Sequence, residues 1–207
     1  MTVGDLVVPA EVALLERALA WTGGRLATVE PRHLALPTPC AGWGLEQLLA
    51  HMEDGLDAFS EAAAGFVVPL RPARSPEHPV PLVPVLQAKA CALLGSWSRP
   101  TLPAVRTGSV HLAAGTLVAT AALEITVHGW DVAAAVASDP STDPSTDPAT
   151  DPGTPPPLPE DLARALLPIA AAVVAPEDRP HRFGPPLPPA STASYGARLV
   201  GFLGRRP

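Results

Sequence analysis

The stretch GTLVATAALEITVHGWDVAAAVA, Gly115 to Ala137, is apolar nearly all the way round when wound as a helix. A helix of that kind belongs inside a core rather than on a surface. At about 100° per residue, Glu124, His128 and Asp131 nevertheless fall on one side, in company with Leu117, Ala121 and Ala135. Two carboxylates and an imidazole on such a helix cost several kcal/mol per unpaired charge to desolvate, so something must compensate them. A divalent cation does that.

The rest of the composition suits such a core helix. With 207 residues, 47% of them hydrophobic, the chain is long enough to bury a core as a single domain. Aromatics make up only 4% and Ala and Leu dominate, which points to helices packed closely through small side chains. A net charge of −6 argues against a nucleic-acid partner, because Lys89 is the single lysine and the arginines are scattered. No apolar run reaches membrane-span length without an interrupting Glu, His or Asp, and MTVGDLVVPAEV has no basic leader region. Cys40 and Cys91 form neither a CxxC pair nor a disulfide framework. These features together predict a soluble, cytoplasmic protein, monomeric or homodimeric.

Helical spacing recurs on both sides of the central stretch. From Pro9 to Val29, the positions Val12, Leu15, Leu19, Leu26 and Val29 predict an amphipathic helix, loosened at Gly23-Gly24. A Pro- and Gly-rich connection ending in Thr38-Pro39-Cys40 and Trp43 leads to a second helix over 45–64. Its buried stripe is Leu45, Leu48, Leu49, Met52, Leu56 and Phe59, and His51 stands on the shoulder of that stripe. Residues 66–81 carry five prolines and read as a loop. A third helix uses Leu82 to Trp97, and Ala104 to Leu112 alternates weakly, as a short strand or an extended lead-in. After the central helix comes a low-complexity Asp/Pro-rich loop, 139–159, whose four-residue repeat discourages both helix and sheet. A solvated linker explains it better than a substrate gate, and deleting 140–153 is expected to leave the fold intact. A helix broken or kinked near Pro168 and a short final helix on Leu199, Val200 and Leu203 complete the chain.

Glu124 and His128, four apart, stand one turn above each other and can share an ion. A Glu-x-x-x-His pair by itself is more often an ordinary hydrogen-bonded helix pair. Here it lies in an apolar helix, and His51 on a second core-forming helix is available as the third ligand. Two imidazoles and one carboxylate leave a position open, as catalytic rather than structural metal sites do. The assignment needs His51 within about 6 Å of the other two, given coordination bonds near 2 Å. Asp131 has equally weighted alternatives: to orient His128 from behind or stay at the pocket rim, or else to cap or pair elsewhere.

The blocks TPCAGWGLEQLLAHM (38–52), ALEITVHGWDVAAA (122–135), RFGPP (182–186) and LVGFLGRRP (199–207) span most of the chain. They resemble the DinB-like metal-binding four-helix bundles, in the actinobacterial branch named for mycothiol-dependent maleylpyruvate isomerase. The resemblance implies an all-α, up-and-down four-helix bundle with short extra C-terminal elements, as one metal-binding domain over 1–207. It implies a divalent metal, usually zinc, held by His51, Glu124 and His128. It also implies a low-molecular-weight thiol such as mycothiol, whose pKa the metal lowers so that a thiolate meets a small electrophile, for isomerisation or S-transfer.

Two other function classes remain beside that one: a hydrolase, lyase or cyclase using metal-bound water, and a non-catalytic ligand-binding bundle. Arg71 and Arg74 suit an anionic substrate, though loop arginines are usually just solvated. Cys40 reads as a packed small residue before a reactive thiol, and Trp43 and Trp130 as core or pocket wall. His33, His78, His111 and His181 read as surface imidazoles, with His111 the first to check as a fourth ligand or proton carrier.

Overall fold

The computed structural model describes residues 10–40, 42–64, 82–98, 104–107, 110–141, 154–179 and 182–207. Four helices make the core: α1 (Ala10–Leu26), α2 (Leu45–Ala63), α3 (Leu82–Trp97) and α4 (Ala114–Ala137). The most extensive contact joins α1 to α4, and α4 also packs on α2. In turn α3 lies against α2 and α1, closing the ring. Two later helices, α5 (Glu160–Val173) and α6 (Tyr195–Phe202), pack on each other, with α5 against α4 and α1. The fold is all-α, a DinB-like four-helix bundle with short C-terminal elements. Among the described residues, no helix is long and apolar enough to cross a membrane.

Burial follows the apolar periodicity. In α2, Leu45, Leu48, Leu49, Met52 and Leu56 are buried, and Phe59 packs beside them. The side-chain oxygen of Gln47 accepts the Gly44 N–H at 3.0 Å where α2 begins. In α4, every residue from Ala121 to Ala133 except Glu124 is buried, as a helix apolar all round requires. Close approach of α1 to α4 depends on Gly129. A Cβ there would run into the Thr22 hydroxyl and lie 2.9 Å from its methyl. The Thr22 hydroxyl donates instead to the Ile125 carbonyl at 3.0 Å, satisfying a buried polar group across the helix pair.

Several local expectations change. The 104–112 segment belongs to an antiparallel hairpin, β1 (Ala104–Thr107) and β2 (Val110–Ala113), with Ala104 opposite Ala113. The Gly-Ser pair between the two runs has turn-forming composition, which divides one weak pattern in two. Helix α1 continues through Gly23-Gly24, and α5 runs through Pro168 without a break. Pro168 and Arg164, whose carbonyl loses its helical donor, both lie on the exposed side of α5, where water can take that donor's place.

His33 is buried, not a surface imidazole. It ends the 3-10 turn Pro31–His33, accepts the Glu30 N–H at Nδ1 (3.0 Å), and places Nε2 3.1 Å from the Asp139 carboxylate just past α4. That carboxylate satisfies the enclosed ring. The expectations for Arg71, Arg74, His78, His181 and most of the 139–159 loop lie outside the described residues.

Candidate metal centre

Because α2 and α4 are neighbours, the shoulder position of His51 becomes a reach across to α4. Its Nε2 lies 3.1 Å from Glu124 Oε1, and His128 Nε2 lies 3.1 Å from the same oxygen. The two imidazoles meet edge to face, with centroids 5.0 Å apart and planes at 89°. His51 is steadied from its other side by Trp43, also edge-on at 5.0 Å. Trp43 is therefore a partly exposed wall of the site, whereas Trp130 is core.

The turn before α2 sets Cys40 and Trp43. Thr38 Oγ1 accepts the Cys40 N–H at 3.2 Å and donates to the Trp43 carbonyl at 3.0 Å, while Gly42 takes the left-handed backbone (φ +82°). Cys40 is no passive filler: its thiol donates to Asp131 Oδ2 at 3.2 Å.

Asp131 stands behind His128. Its Oδ2 lies 3.0 Å from His128 Nδ1, and the Arg205 guanidinium grips the carboxylate with two hydrogen bonds, of 2.7 and 2.8 Å. With Asp131 fully buried and Arg205 nearly so, this is an enclosed fork-to-fork ion pair. Arg205 arrives through a helix ending. Gly204 takes φ +79° beyond α6, its N–H bonds the Gly201 carbonyl (3.0 Å), and the Arg205 N–H bonds the Val200 carbonyl (2.9 Å). That is a Schellman cap, which turns the chain back toward α4. The Gly204 backbone then lies directly on Gly184 of RFGPP, so the two late sequence blocks dock on each other.

Burial alone would raise the Asp131 carboxyl, but the adjacent Arg205 charge holds it below the usual carboxylate range. Burial would likewise raise Glu124. Hydrogen bonds from His128 and His51 reverse that and hold it far below its ordinary value. For His128, burial favours the neutral ring, yet hydrogen bonds with Asp131, Cys40 and Glu124 push its pKa well above the ordinary imidazole value. Protein groups surrounding His128 thus favour positive charge at this spot.

The donor atoms of His51, Glu124 and His128 all lie within 4.8 Å of one another. In tetrahedral coordination at about 2.0–2.1 Å, neighbouring donors stand roughly 3.3–3.4 Å apart. The two observed 3.1 Å separations need only a slight spread to reach that spacing. Cys40, His128 and Asp131 form a second donor group. There the Arg205 guanidinium, 3.5 Å from Cys40 Sγ, already supplies the positive charge, so a cation fits the Glu124 side. His51 and Glu124 keep 38% and 34% of their side chains exposed against 9% for His128, which leaves that side approachable. His111 lies in β2, which meets the N-terminus of α4 roughly 15 Å along the helix axis from Glu124.

A cavity of about 320 Å³ opens onto this cluster, lined by residues of all four bundle helices. No curated protein and no solved structure matches the chain. Residues 15–133, more than half of the 207, match the family described as mycothiol maleylpyruvate isomerase N-terminal domain. The match takes in Cys40, His51, Glu124, His128 and Asp131 and ends before α5 and α6. The chain belongs to that family.

Proposed function

We propose that His51, Glu124 and His128 hold a divalent metal, zinc by the nitrogen-rich donor set, in an enzyme that uses a low-molecular-weight thiol such as mycothiol on a small electrophile. The outcome for substrate is isomerisation or S-transfer. One observation carries the proposal: a single carboxylate oxygen lies 3.1 Å from two imidazole nitrogens at the wall of the bundle cavity. The metal's contribution there is Lewis acidity, which lets a thiol lose its proton near neutral pH.

Everything else is the work of this chain's side chains. Asp131 accepts the Nδ1 proton of His128 and so keeps Nε2 free and aimed at the Glu124 side. Arg205 keeps Asp131 ionised and fixed. Trp43 limits the swing of the His51 ring. The apolar cavity wall beside the three donors gives the hydrocarbon parts of a thiol and its electrophile a surface to pack on.

The test is elemental analysis of untagged protein, followed by turnover assays on activated alkenes with and without mycothiol. Wild type should carry equimolar metal, His51→Ala should lose most of it, and metal-dependent turnover should require the thiol. Full metal occupancy in His51→Ala would remove that residue from the centre. Metal-dependent turnover without thiol would make water the nucleophile, and ligand binding without product would make the chain a binding module.

A further inference from the structure

Mycothiol joins two unlike parts, a small cysteinyl head that carries the sulfur and a body of hydroxylated six-membered rings. The bundle cavity suits the head and excludes the body. Its wall is mostly hydrocarbon, with Leu19, Met52, Leu56, Phe59, Leu86 and Ile125 prominent, so hydroxyls entering it would give up water without gaining partners. At about 320 Å³ it is also small, since a bare benzene ring takes about 150 Å³ of apolar cavity. A body of that kind therefore stays on the solvent side of the metal centre, where His51 and Glu124 are half-exposed.

Trp43 stands on that side. It is not part of the cavity lining, but it meets the ring of His51, which is, with centroids 5.0 Å apart. Among the described residues the exposed large hydrophobic side chains are Trp43, at 38%, and Tyr195, and the Arg198 guanidinium already lies 5.7 Å from the Tyr195 ring centre. An exposed tryptophan forgoes part of the gain from burying one of the largest apolar side chains. Its backbone is nonetheless fixed: the Trp43 N–H donates to the Cys40 carbonyl at 3.0 Å, and the Trp43 carbonyl accepts both the Thr38 N–H, at 3.1 Å, and the Thr38 hydroxyl. A held, half-exposed indole offers a broad surface to a ligand at little further entropy cost.

Building on the thiol reading above, we propose that Trp43 is the platform for the polyol body of the thiol cosubstrate, with a sugar-like ring lying on the indole while the sulfur reaches the position beside His51, Glu124 and His128. The electron-rich face of an aromatic ring attracts the weakly positive hydrogens of the sugar's C–H bonds, and the hydroxyls around its edge stay in water. The reach fits. The link from cysteinyl sulfur to the first ring spans roughly 6 Å, close to the 5.0 Å between the indole and the His51 ring. The three donors thus select a thiol, and Trp43 selects which thiol.

The test uses full-length protein loaded with cobalt(II), whose sulfur-to-metal charge-transfer absorption reports thiol bound at the metal. It is titrated with mycothiol and with N-acetylcysteinamide, which keeps the head and lacks the body. Wild type should bind mycothiol about tenfold or more tighter than the truncated thiol. Trp43→Leu should weaken mycothiol alone and bring the two within about threefold of each other. Trp43→Phe, which keeps an aromatic face, should restore most of the difference. Should Trp43→Leu lose its helicity by circular dichroism, Trp43→Gln is read in its place.

Equal affinity of the two thiols for wild type, or an undiminished preference in a folded Trp43→Leu protein, overturns the proposal. So does an equal loss for both thiols, which would confine Trp43 to holding the His51 ring. Failure of the underlying reading looks different and takes the proposal with it: wild type then binds no stoichiometric cobalt, or shows no charge-transfer absorption with either thiol.

Discussion

Asp131 has no exposed side-chain surface, and Arg205 supplies the charge that keeps it ionised. Removing one partner of a buried pair leaves the other desolvated and uncompensated, at a cost of about 3–5 kcal/mol. Arg205→Met is therefore expected to lower unfolding stability by that order in urea titrations. Arg205→Lys keeps the charge but not the fork and should fall between it and wild type.

The acid limb provides a second readout. Since Asp131 titrates lower when folded than when unfolded, its stabilisation is complete above the ordinary carboxylate value of about 3.9. It is lost as pH falls through the lower, folded value. Arg205→Met removes the cause of that depression, so stability measured from about pH 5 downward should fall less steeply than in wild type. An unchanged slope would mean that Asp131 owes its ionisation to other groups.

The contact of α1 with α4 is the element that brings the cavity wall and the metal-binding side chains into register. Its tightest point is Gly129, the residue after His128, against Thr22. Gly129→Ala gains about 1 kcal/mol of helix propensity. It also forces a methyl into the Thr22 side chain, and overpacking of a close-packed core typically costs about 1–3 kcal/mol. The repulsive term should win, lowering the melting temperature. Thr22→Ala introduced into the same variant should recover part of the loss, because the clashing hydroxyl and methyl are gone. A double-mutant cycle showing no coupling between the two positions would remove this contact from the packing account.

This pair also marks what could be read from the amino-acid order. The Leu45 to Leu56 stripe of α2 and the apolar girth of α4 announce themselves, because period and burial are local properties of one helix. His51, Glu124 and His128 could be picked out for the same reason: polar groups on core-forming helices demand partners. Arg205 could not, since its partner Asp131 lies 74 residues earlier, across the Asp-Pro repeat, and GRRP resembles a solvated end. The only local hint was glycine after the last periodic leucine, a helix-stop signal that says nothing about what the following arginine touches. His33 failed similarly, because its burial is completed by Asp139, far along the chain.

The whole molecule poses the question of whether α5 and α6, beyond the family match, belong to the same cooperative unit as the bundle. Three links support that reading: α5 packs on α4 and α1, Arg17 of α1 pairs with Asp161 of α5 at 2.6 Å, and Arg205 closes over Asp131. The last is buried and sits one residue beyond the Schellman cap, so the metal centre's backing depends on the end of the chain being docked. We therefore expect one folding unit over 1–207 that tolerates a break in the chain within the Asp-Pro repeat.

A protease site engineered within residues 142–153 tests both halves of that expectation. After cleavage, the two fragments should elute together, keep equimolar metal, and unfold in one urea transition followed by tryptophan fluorescence and by circular dichroism alike. Introducing Arg205→Met into the same protein should weaken the association, since the buried ion pair is then broken while the surface pair at Arg17 contributes little. Fragments that separate on gel filtration, with residues 1–141 retaining metal and native helicity, would instead make the bundle self-sufficient and α5 with α6 an appended cover.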